Sequence, residues 1–113
     1  SADVKDLQDM VETVKMEESV LDYLMEIVER TRQSERFELG VSPRGGIAFY
    51  RNAQALALVE GRDFCVPDDV KRMAVPSLAH RVILKSRRRD VGWSSSEAAE
   101  AIAALVDSIP VPR

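Results

Sequence analysis

The sequence predicts an all-α domain, a small helical bundle with at most a minor, short β-sheet. Two observations carry this. Apolar residues recur at helical spacing through most of the 113 residues, and strict alternation is confined to short stretches. Helix-start chemistry recurs between those stretches, at Ser42-Pro43, at Pro67-Asp68-Asp69 and in the capping box within Ser94-Ser95-Ser96-Glu97.

The first helix is expected from Asp3 to about Val14, with Val4, Leu7, Met10, Val11 and Val14 as its apolar positions. Val14-Lys15-Met16 alternates and reads as a short extended link. Glu17 and Glu18 place acids in the first turn of a second helix, which runs to about Gln33 on a stripe of Val20, Leu24, Ile27 and Thr31. Ser34 to Leu39 reads as a charged connector with one aromatic, Phe37.

Ser42 is a cap candidate and Pro43 opens a third helix that runs to about Glu60, with Gly61 as its C′ residue. Ile47, Phe49, Tyr50, Ala53, Leu56, Ala57 and Val59 make it apolar around most of its girth, so it is expected to be the central helix. Its least bulky face, Arg44, Ala48, Arg51 and Ala55, reads as a flat cationic strip. A fourth helix starts at Pro67, with Val66 at the cap position lacking a side-chain acceptor. Pro76 predicts a kink or a fresh turn leading to His80. Arg81 to Leu84 can pair as a short strand with Phe64–Val66 or Val14–Met16. After the basic run Lys85–Arg89 and the break at Gly92, Ala98, Ala101, Ile102, Leu105 and Val106 define a last amphipathic helix that stops before Pro110.

Composition excludes several classes of function. The net charge of −3 argues against a general nucleic-acid binder. A single cysteine, Cys65, allows neither an internal disulfide nor a thiolate cluster, and a single His80 allows no histidine-rich metal site. No metal ligands are assigned. No apolar run approaches membrane-spanning length, no signal peptide is visible, and the cytoplasm is the expected location. The chain opens on Ser1, which fits a fragment of a longer protein.

Few motifs carry chemistry. Gly40 to Gly45 matches the first half of a phosphate loop, but Gly46-Ile47 stands where lysine and a hydroxyl residue are required. His80 has no nucleophile or acid at triad spacing, Cys65 reads as an inert core thiol, and Asp68-Asp69 reads as capping. Trp93 reads as cover for a core edge, and Lys85–Arg89 as a solvated linker. Arg44 is the exception. A cation in the first helical turn costs roughly 0.3 to 1 kcal/mol against the helix dipole unless an anion lies nearby. It is either a solvated arginine that tolerates this cost or part of an anion site.

Taken together, these residues resemble the C-terminal lid domain of MoxR-type AAA+ ATPases from about Asp3 to Pro112. The matching elements are Thr31-Arg32 at a helix end, the Gly-x-Ser-Pro-Arg of Gly40 to Arg44, and an alanine- and leucine-rich helix ending in Gly61-Arg62-Asp63. Pro67-Asp68-Asp69-Val70 and His80-Arg81-Val82 follow in order. Two departures stand out. Gly45-Gly46 replaces the usual alanine after the arginine, at about 1 kcal/mol of helix propensity per glycine, and Val66 replaces a threonine or serine.

The resemblance implies that the chain is a single lid domain of an ATPase whose nucleotide-binding core lies elsewhere. It implies that Arg44 is the sensor-2 residue, reaching the phosphates of ATP with Ser42 and Gly45 beside it. ATP and Mg²⁺ would be held mainly by the core. The parent would hydrolyse ATP, and this chain alone would not. Implied partners are that core, neighbouring subunits of a hexameric ring and an unnamed client protein, in a chaperone-like role, with no membrane and no specific nucleic acid. The alternative is a self-contained helical interaction domain binding protein or nucleic acid through Arg87–Arg89. No constellation supports an autonomous small hydrolase.

Overall fold

A computed structural model describes residues 2–85 and 95–112. Five helices carry the fold: α1 (Ala2–Glu12), α2 (Glu18–Gln33), α3 (Pro43–Val59), α4 (Pro67–Leu78) and α5 (Ser95–Asp107). Two short strands, β1 (Phe37–Leu39) and β2 (Ile83–Leu84), pair antiparallel, with Phe37 opposite Leu84 and Leu39 opposite Ile83.

The core is the meeting of four apolar faces. Val20, Tyr23, Leu24, Ile27 and Val28 come from α2, Phe49, Ala53 and Ala57 from α3, Val70, Ala74 and Leu78 from α4, and Ala98, Ala101, Ile102 and Val106 from α5. Alanines on α3 and α4 let those two helices approach closely, and they share the most extensive contact in the described residues. The all-round apolarity of α3 is only partly buried. Phe49 is fully covered, while Ile47 and Val59 stand in solvent.

Helix ends follow the local chemistry. Gly61 takes φ +82°, and its N–H donates to Leu58 O while Arg62 N–H donates to Ala57 O, a Schellman closure of α3. At α4 the missing cap on Val66 is replaced from within the helix: Asp69 Oδ2 accepts Val66 N–H at 2.8 Å. Helix α4 continues through Pro76 to Leu78, and a 3₁₀ turn over Ala79–Arg81 then carries the chain to β2.

The sheet pairing differs from the expectation. Residues 81–84 pair with neither Phe64–Val66 nor Val14–Met16 but with the segment read as a charged connector. Only Phe37 of β1 is buried, so three residues offered no legible period. The two segments left over meet each other instead: Lys15 N–H donates to Asp63 O and Cys65 N–H donates to Lys15 O, both at 2.8 Å. Gln54, buried on α3, fixes this link by donating Nε2 to Val14 O at 2.8 Å.

Cys65 lies in that link, buried, and burial pushes its thiol up to about 11, with Asp69 adding to the shift. Its reaction with a disulfide reagent at pH 8 is expected to be on the order of a hundredfold slower than that of free cysteine, through loss of thiolate and of access. Absorbance kinetics in native buffer and in denaturant check this. Equal rates in the two would place the thiol at the surface.

Candidate functional site

The loop ahead of α3 is held by the last turn of α2. Thr31 Oγ1 accepts Val41 N–H at 3.0 Å, and Arg32 Nε donates to Val41 O at 2.8 Å. One adjacent pair of residues thus satisfies both backbone groups of Val41, a buried loop residue that would otherwise strand them. A Cβ on Gly40 would stand 2.8 Å from backbone atoms of Thr31 and Arg32, so the loop lies directly against α2 and only glycine fits. Thr31-Arg32 and Gly40 therefore serve one purpose, which is to fix where α3 starts.

At that start Ser42 is the N-cap, and its Oγ accepts Gly45 N–H at 3.1 Å. Gly46 N–H donates to Ser42 O at 2.9 Å, and Pro43 has no N–H. Of the first-turn donors, only the N–H of Arg44 remains without an acceptor among the described residues. The helix end is thus a weaker anion cradle by backbone alone than a row of free N–H groups would be. The arginine itself is what is left over. Arg44 is exposed, its first turn contains no acid, and no hydrogen bond or ion pair holds its guanidinium among the described residues.

Gly45 is buried, and a Cβ there would stand 2.8 Å from Val41 Cγ1 and 3.1 Å from Arg81 Cδ. A glycine at this position matches this crowding. The glycine leaves room for Val41 and for the stem of Arg81 against the first turn.

The expected cationic strip is divided. Arg51 donates Nη1 to Gln54 Oε1 at 3.0 Å, lies 3.9 Å from Glu12 of α1, and sits over the Tyr50 ring. Helix α1 runs along this end of α3, leaving a groove of about 490 Å³ bounded by Leu7, Val11, Arg51 and Ala55. The Arg44 end is left open. Sequence patterning had no means to place α1 there, because Val4, Leu7 and Met10 remain exposed.

Other singled-out residues are structural. Arg62 grips buried Asp69 with two hydrogen bonds, 2.6 and 2.7 Å, and also donates to Phe64 O. Burial alone would raise the Asp69 carboxyl, but the Arg62 hydrogen bonds and Val66 N–H outweigh it and hold it below the usual carboxylate range. Gly61-Arg62-Asp63 and Pro67 to Val70 are thus two halves of one contact. Asp68 lies on the surface, 4.0 Å from Arg72, and His80 is exposed. Among the described residues no group of three potential ligands could hold a metal ion, and no helix is long and apolar enough to cross a membrane. Arg87–Arg89 and Trp93 lie outside the described residues.

The AAA lid domain family matches residues 29–102. The uncharacterized protein YeaC of Bacillus subtilis is 39% identical over 107 residues, covering 95% of this chain and 33% of YeaC. Chaperone MoxR1 of Mycobacterium tuberculosis is 30% identical over 93 residues, covering 74% of this chain and 25% of MoxR1. A crystal structure of a candidate ATPase from Cytophaga hutchinsonii superposes with a TM-score of 0.74 at 26% identity, covering 93% of this chain and 34% of that one. The chain therefore spans about a quarter to a third of the length of the proteins it matches. It belongs to the AAA lid domain family, as a C-terminal lid of the MoxR-type AAA+ ATPases.

Proposed function

We propose that residues 1–113 form one lid domain of a longer ATPase, and that Arg44 is its sensor-2 residue. The observation that carries this is the exposed guanidinium in the first turn of α3, unpaired among the described residues, on a start fixed by Thr31, Arg32 and Gly40. A cation at that end of a helix is destabilising by itself and becomes favourable beside phosphate.

The donor set here suits phosphate oxygens and offers nothing for Mg²⁺, so the metal and most of the nucleotide belong to the core of the parent protein. Bound Mg²⁺–ATP supplies the transferable phosphoryl group. This chain supplies the Arg44 guanidinium and its own N–H, presented by the turn that Ser42 and Gly45 close. Contact with the terminal phosphates favours a closed lid, and their loss releases it, so the phosphate state becomes rigid-body motion of the domain. The chaperone name of one relative supports a chaperone-like role. We place the parent in a hexameric ring in the cytoplasm, acting on a client the chain does not identify.

Hydrogen exchange tests this reading. In the parent enzyme, amides of residues 42–48 should be better protected with a non-hydrolysable ATP analogue and Mg²⁺ than with ADP. Equal protection in both states would contradict a phosphate-sensing role for this helix start. The isolated chain should show no ATP turnover, because it holds one of several groups that phosphoryl transfer needs at once.

A further inference from the structure

A second guanidinium reaches the same helix start. Arg81 Nε donates to Ser77 O at 3.1 Å, and the Arg81 stem lies where a Cβ on Gly45 would stand 3.1 Å from its Cδ. The stem is held on one side by α4 and on the other by the first turn of α3. Among the described residues its outer nitrogens have no acceptor. A stem needed only for packing requires no charge at its tip, and an immobilised planar fork is well suited to an oxyanion.

Arg81, Arg32, Gly40, Ser42 and Pro43 bound a groove of about 620 Å³ at the tip of α3. Its other polar groups are already engaged. Arg32 spends Nε on Val41 O and lies 3.4 Å from Glu29, and Glu38, an acid on the rim, is itself engaged. The Arg44 guanidinium and the outer nitrogens of Arg81, with no acceptor among the described residues, thus flank one helix N-terminus, and all three repel one another. A single carboxylate would neutralise one of them. A ligand with several adjacent negative charges would neutralise both, and a phosphate chain has that form.

We propose that Arg81 is a second phosphate-binding residue of the lid, contacting the phosphate chain of the nucleotide beside Arg44. This rests on the reading of Arg44 as the phosphate sensor. Gly45 is the enabling residue, since an alanine there would push against the Arg81 stem and Val41.

Two measurements test it. Inorganic tripolyphosphate is titrated at low salt into the 113-residue chain and followed by NMR. Arg81→Gln is expected to weaken binding about tenfold, the effect of losing one charge-assisted contact. Unchanged affinity would overturn the proposal. In the parent ATPase, Arg81→Gln should raise KM for ATP by a similar factor while the thermal midpoint falls by no more than a few degrees, the loss of the Ser77 hydrogen bond, and Arg81→Lys should recover part of the KM. A lowered midpoint with unchanged KM would make Arg81 structural and overturn the proposal as well. Arg44→Ala is run alongside. If it leaves turnover and KM normal, the sensor reading itself fails. If it is impaired while Arg81→Gln keeps the wild-type KM, only the inference about Arg81 fails.

Discussion

Replacing Arg44 by alanine in the parent ATPase is expected to lower turnover about a hundredfold, since removing one preorganised charge stabiliser costs on the order of 3 kcal/mol. The fold should be untouched, because Arg44 is exposed and holds nothing in place among the described residues. Arg44→Lys should recover only part of the rate, as a point charge cannot replace a planar fork. Arg51→Ala should do much less. Arg51 lies about 10 Å further along α3, from a rise of roughly 1.5 Å per residue, and is already committed to Gln54 and Glu12. Steady-state ATPase assays on the three variants decide between the two arginines. Near-normal turnover in Arg44→Ala with a damaged Arg51→Ala would move the sensor to Arg51.

The largest effect on stability is expected at Asp69, which is fully buried. Asp69→Ala removes the acid that caps α4 and leaves Arg62 without its bidentate partner. Arg62 is a quarter exposed and can turn to water, so the loss is that of the cap and of the charge-assisted hydrogen bonds, about 2 to 3 kcal/mol, which for a domain of this size lowers Tm by roughly 10 °C. Asp69→Asn should cost less, since an amide oxygen can still accept Val66 N–H. The pH dependence has a definite sign. The folded carboxyl is held below its unfolded value near 4, so its contribution is present above about pH 4 and is lost as pH falls through the folded value. In Asp69→Asn that part of the acid sensitivity should vanish. Thermal melts followed by circular dichroism between pH 3 and 7 measure both effects. A loss below 1 kcal/mol in Asp69→Ala would show the pair to be dispensable.

The helices were legible because each carries its own period and its own ends. The cap at Ser42, the C′ glycine at 61 and the stripe of α2 are local signals, and local signals survive without tertiary knowledge. The sheet was not legible. Its two strands are three and two residues long, and their pairing is set by where α2 and the 3₁₀ turn deliver them. Arg44 stood out through its cost to its own helix, and its reading as a phosphate sensor came from the family resemblance. The scaffold behind it was not legible, because nothing in the order of residues says that Thr31 and Arg32 share the two backbone groups of Val41, or that Gly40 rests on α2. Gly45 read as a loosened helix start. In space it is a close approach that admits Arg81.

The most direct test of the central claim is a structure of the parent ATPase with a non-hydrolysable ATP analogue and Mg²⁺. An Arg44 guanidinium nitrogen is expected at about 2.7–2.9 Å from an oxygen of the terminal phosphates, the distance of a charge-assisted hydrogen bond. Arg44 found in solvent with the lid closed, and the phosphates met by other residues, would contradict it.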